Sequence, residues 1–114
     1  MEMFTERQNK VSRLIQKDIS EILQQVSKDW FGNIMLTVTV VRISRDLSSS
    51  KIYISVFPSN KGNEVLDVLN QNSSKIRFEL GNRIRHQLKK VPEIRFFIDD
   101  SLDYIDRINH LLDS

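Results

Sequence analysis

The chain has no cysteine among its 114 residues, which excludes disulfides, thiolate zinc sites and a cysteine nucleophile. It also has no apolar run near the roughly 18 residues of a membrane span. The opening stretch MEMFTERQNK lacks the apolar core of a secretory signal. A cytoplasmic protein with no membrane partner is therefore expected. Glycine and proline are scarce, at three and two residues, and no glycine-rich phosphate loop is present. His86 and His110 fall on different predicted helices with no motif around them. Asp99, Asp100, Asp103 and Asp106 are accounted for by helix capping and dipole complementation, without a metal. An enzyme, a cofactor, a metal site and a small-molecule substrate are thus not expected.

What remains is 39% hydrophobic and 28% charged, the balance of one globular domain over residues 1–114. Val11, Leu14, Ile15, Ile19, Ile22, Leu23 and Val26 follow i, i+3, i+4 spacing and predict a helix over 5–27. Thr5 to Gln8 forms a capping box at its start, and Gly32-Asn33 breaks the pattern. NIMLTVTVVRIS predicts a strand with Leu36, Val38 and Val40 on one face. KIYISVF predicts a second strand with Ile52, Ile54 and Val56 inward, antiparallel to the first across the polar turn RDLSSS. Pro58 to Asn63 is a loop, and EVLDVLNQ a short helix. Asn72-Ser73-Ser74 then marks a sharp bend, with Asn72 or a neighbouring serine in a left-handed or capping conformation.

Ile76, Leu80, Ile84, Leu88 and Val91 share one side of a further predicted helix, which Pro92 ends. EIRFFI gives a third strand with Ile94, Phe96 and Ile98 inward, and DSLDYIDRINHLLDS a short C-terminal helix. The order is αββααβ plus that helix, an α+β two-layer sandwich with a three-stranded sheet. A strand–helix–strand RNA-recognition fold does not fit this order.

Charge is unevenly placed. Lys75 to Arg95 holds seven basic and two acidic residues, a net +5 in a chain of +2. On a continuous helix, Arg85 would face Lys89 at i+4, a like-charge pair, and Gly81 at i−4. Glu79 and Arg83 form a favourable i,i+4 pair, and Phe78 lies on the outer face. Gly81 costs about 1 kcal/mol in mid-helix, which close packing against the first helix would explain.

The αββααβ order with this bend resembles a type II KH-like domain. SRDLSSSKIYIS (44–55), Ile76-Arg77, VPEIRF (91–96) and Asp99 to Ser101 together resemble the ribosome-binding factor A family over residues 7–112. The family's Ala-x-Gly bend reads Asn72-Ser73-Ser74 here, and Trp30 stands where the family commonly has proline. No Gly-x-x-Gly loop is present to clamp nucleotides.

The resemblance implies a non-catalytic factor that binds the small ribosomal subunit and its rRNA, immature particles above mature ones, during maturation and rRNA processing. A monomer is expected. On that basis the outer face, with Lys75, Phe78, Arg83, Arg85, Lys89 and Lys90, is the candidate RNA contact, its self-repulsion relieved by phosphate. The hairpin cluster of Arg42, Arg45 and Lys51 is either a second rRNA contact or a soluble loop, and Arg45 and Lys51 join the candidates. The outer sheet face, with Tyr53, Phe57, Arg95 and Phe97, is expected to lie half covered by a terminal segment. Alternatives are a generic KH-like single-stranded RNA module, or a protein-interaction domain whose basic helix meets an acidic partner.

Overall fold

The computed structural model describes residues 5–99. Helix α1 spans Glu6–Val26 and begins at the expected capping box: the Thr5 hydroxyl accepts from the Gln8 N–H, and the Gln8 side chain accepts from the Thr5 N–H. The same Gln8 amide donates to the Ile43 carbonyl at 3.1 Å and is buried. A cap thus also ties the helix start to the far end of the first strand. Val11, Ile15, Ile19, Ile22 and Leu23 are buried, the stripe that the 3.6-residue period demands. The helix closes in one wider turn, Ser27–Phe31, in which the Gly32 N–H bonds the Ser27 carbonyl. Gly32 follows at φ +70°, a conformation that suits glycine.

Strands β1 (Met35–Ile43) and β2 (Ser49–Phe57) pair antiparallel, as expected. The inward face of β1 differs from expectation. Leu36 and Val38 are buried, but the register shifts between Val38 and Val40, so Val41 and Ile43 face the core while Val40 is exposed. One extra residue flips the alternation. The hydroxyl of Thr39, at this irregularity, donates to the Asp99 carboxylate and lies 3.3 Å from the Tyr53 carbonyl.

Helix α2 spans Gly62–Gln71 and α3 spans Ser73–Ile84. No left-handed residue joins them. Asn72 sits at φ −108°, ψ 18°, and its amide donates back to the Val68 carbonyl at 2.8 Å. The bend is therefore held by a side-chain cap on the end of α2, and the left-handed alternative is corrected. Strand β3 (Glu93–Ile98) lies parallel to β2, giving the order β1-β2-β3 with β3 at an edge. Asn70 grips that edge, donating to the Phe96 carbonyl and accepting from the Phe96 N–H.

All three helices pack on one face of the sheet, around Ile52, Ile54, Phe96, Val65, Leu69, Ile76 and Leu80. This is the expected two-layer α+β arrangement. The predicted C-terminal helix lies outside the described residues.

Candidate nucleic-acid interface

Ile76, Leu80 and Ile84 anchor α3 in the core, which turns Lys75, Phe78, Glu79, Asn82 and Arg83 towards the surface. The helix then stops at Ile84, seven residues short of the expected end. Arg85 closes it, the chain turns through Gln87, and Leu88 and Val91 tuck against the core as partly buried side chains. The apolar spacing thus holds to Val91 although the helix does not.

Arg77 accounts for the path of this loop. Its guanidinium donates to the Val91 carbonyl at 2.7 and 3.3 Å and to the Pro92 carbonyl at 3.2 Å. Pro92 is buried. Gly81 allows the approach, because a Cβ there would lie 3.2 Å from the Val91 Cγ2. Its close neighbour is this loop rather than the first helix, which corrects that expectation.

The outcome is a groove of about 540 Å³ between α3 and the returning loop, lined among others by Arg77, Phe78, Asn82, Lys89 and Lys90. Phe78 is 68% exposed. Lys89 and Lys90 belong to the loop, so the helical Arg85–Lys89 repulsion expected from sequence does not exist. The structure places the candidates in distinct positions. Phe78, Lys89 and Lys90 converge on the groove. Lys75 lies next to it, and Arg85 is exposed at the helix end.

Arg83 turns away. Its guanidinium meets Glu21 at 2.9 Å and Asp18 at 3.5 Å on α1. The hydrogen bond it donates to Glu21 raises its pKa above the ordinary value. The expected Glu79–Arg83 pair is replaced by this tie between helices.

Arg45 and Lys51 stand elsewhere. Arg45 lies in the turn between β1 and β2, where the Asp46 carboxylate accepts from the Ser48 hydroxyl at 2.7 Å, the Ser44 hydroxyl at 2.8 Å and the Ser48 N–H at 3.1 Å. Those bonds hold the Asp46 pKa at about 2. Leu47 takes φ +63° and packs against the core. The Ser-x-Asp-Leu sequence is thus a turn device that leaves Arg45 outside.

Lys51 pairs across the sheet with Arg42 and Arg95, and its ammonium lies 5.9 Å from the Phe97 ring centroid. Tyr53 and Phe97 stack beside it at 5.5 Å. Lys51 and Arg95 line a second cavity of about 570 Å³, which reaches Asn70 and Ser73 at the bend. Ser74, the next residue, lines the α3 groove instead.

One aromatic residue escaped sequence reasoning. Trp30, in the wide turn after α1, is 39% exposed and lines a cleft of about 470 Å³ with Phe78 and Lys75. Its departure from the family's usual proline was a signal, but only the fold shows what it adjoins.

The profile of the ribosome-binding factor A family matches residues 7–112. The ribosome-binding factor A of Christiangramia forsetii is 45% identical over 105 residues, covering 91% of this chain and 80% of the relative. The crystal structure of Thermus thermophilus ribosome-binding factor A superposes with TM-score 0.66 at 21% identity, covering 80% of this chain and 94% of that one. A homology model of Thermus thermophilus ribosome-binding factor A, fitted into a cryo-electron-microscopy map of a 30S–RbfA complex, gives TM-score 0.62 at 24% identity, covering 75% of this chain and 88% of that one.

Proposed function

The chain belongs to the ribosome-binding factor A family, and we propose on that premise that it binds the small ribosomal subunit through rRNA and assists subunit maturation without catalysis. The observation that carries this reading is the groove between α3 and the loop after it. There two lysines and an exposed phenylalanine converge although the ring lies eleven and twelve positions from the lysines in sequence. Cations that track a backbone and a ring on which a base can stack are what folded or locally unpaired RNA requires. The loop is pinned by Arg77 before any partner arrives, so little ordering cost accompanies binding.

In this reading Lys75, Phe78, Lys89 and Lys90 form the principal contact, with Arg85 at its margin. Arg45 and Lys51 make a second contact along the sheet, and Arg83 serves the α1–α3 packing instead. The protein acts as a cytoplasmic monomer and favours immature small subunits over finished ones.

Sucrose-gradient sedimentation tests the reading. The protein should travel with small-subunit precursors, and Lys89→Glu with Lys90→Glu should shift it to the top of the gradient. Co-migration mainly with translating ribosomes, or none with small subunits, would overturn it.

A further inference from the structure

Trp30 and Phe78 reach the surface from different elements, the turn after α1 and the middle of α3, yet they line one cleft. Single exposed apolar residues are ordinary on a protein surface. Two exposed aromatic rings that converge on a cavity of about 470 Å³ are not accounted for by that. Trp30 rests edge-on against Phe31, with ring centroids 6.4 Å apart and planes at 76°.

The remaining walls are polar. Ser74, Lys75 and Glu79 complete the cleft. Ser74 and Phe78 also line the neighbouring groove that holds Lys89 and Lys90. Phe78 is therefore a partition, with cations for phosphate on one side and an aromatic slot on the other. This matches the alternation of phosphate and base along a nucleic-acid strand. An apolar protein side chain would use the rings but leave Lys75 and Glu79 without a role.

We propose that the cleft between Trp30 and Phe78 captures one unpaired base, cytosine in preference to uracil, of the RNA whose backbone lies in the adjoining groove. The assignment rests on the function proposed above and adds to it a base-specific site. Glu79 favours cytosine over uracil. A carboxylate accepts hydrogen bonds and donates none. The N4 amino group of cytosine donates to such an acceptor. Uracil presents a carbonyl oxygen at the same position, and two acceptors would then face each other. Lys75, one residue from Ser74, supplies the charge for the phosphate that follows.

The chain's single tryptophan is a wall of the site, so its fluorescence reports occupancy directly. Titration of the intact protein with hexacytidylate at low salt should give a saturable change in emission. Hexauridylate should bind several-fold more weakly. Phe78→Ala should weaken hexacytidylate binding by about fivefold or more, the loss expected from one stacked base. Glu79→Gln should remove the preference between the two oligonucleotides, because an amide can both donate and accept. Phe78 and Glu79 are exposed, and circular dichroism should show both variants folded.

Unchanged Trp30 emission, while an end-labelled hexacytidylate still binds through Lys89 and Lys90, would overturn the cleft and leave the proposed function standing. Equal binding of both oligonucleotides with no effect of Glu79→Gln would overturn the choice of base. Emission that follows protein concentration alone would assign the cleft to a second copy. A Trp30→Ala loss on assembled subunits but not on protein-free rRNA would assign it to a ribosomal protein. Both overturn the proposal. Failure to sediment with small subunits at all would instead remove the functional reading on which it rests.

Discussion

Asp46 and Arg85 show how a neighbourhood sets what a charged side chain does. Asp46 lies in solvent, yet the hydroxyls of Ser48 and Ser44 and the Ser48 N–H hold its carboxyl at a pKa of about 2, below the ordinary 3.8. A depressed carboxyl pKa stabilises the fold above the unfolded value and loses that contribution as the pH falls through the folded one. The β1–β2 turn should therefore keep its geometry to below pH 4 and loosen towards pH 2. A carboxyl-carbon NMR titration should place the Asp46 midpoint near 2, and Ser44→Ala with Ser48→Ala should move it up towards 3.8. An ordinary midpoint in the unmodified protein would show that these bonds do not persist in solution. Arg85 closes α3, where its charge complements the carbonyl end of the helix dipole. On an unbroken helix, Arg85→Glu would relieve repulsion and leave the protein as stable or more so. With the helix ending at Ile84, the variant places an anion at that end and should cost about 0.3–1 kcal/mol. Urea denaturation reads the sign, and a stabilised variant would restore the longer helix.

Among the elements, α1 was legible to its first residue, because the Thr5–Gln8 cap and the Val11–Leu23 stripe are local signals that the packing agrees with. The β1–β2 pairing and the inward face of β2 were legible for the same reason. The bulge in β1 was not. Val38, Val40 and Val41 are all apolar, so alternation cannot tell which of the last two turns inward. The end of α3 was hidden in another way. Leu88 and Val91 keep helical spacing and do reach the core, but they do so from a loop whose direction is set by Arg77. That tie spans fourteen residues and has no periodic signature. The convergence of Phe78 with Lys89 and Lys90 could be expected in composition, but its geometry depends on the tie, and Trp30 enters only through the fold. Arg77→Met should accordingly leave α1 and most of α3 helical by circular dichroism. It removes charged donors from the Val91 and Pro92 carbonyls and should cost about 1–3 kcal/mol. Affinity for small-subunit RNA should fall even though Arg77 spends its guanidinium on the loop. A variant with unchanged stability and unchanged affinity would mean that the loop needs no such tie.

At the scale of the molecule, a chain of only +2 presents positive charge locally, because acids neutralise some cations and leave others. Glu21 and Asp18 engage Arg83. The helix end and the loop after it have no acid between Arg85 and Lys90. Affinity that comes from phosphate contacts falls with salt in proportion to their number, whereas net charge alone says little about partners. Lys51 and Arg95 line one groove, and Lys89 and Lys90 line another. The most direct test of the account is the affinity for small-subunit precursors measured across a salt series, for the natural chain and for Lys89→Gln with Lys90→Gln. The account predicts weaker binding for the double variant and a log–log salt slope shallower by between about 1 and 2 units, two phosphate contacts having been removed. Equal affinity and equal slope for the two proteins would contradict it, and would make the α3 groove a solvated surface.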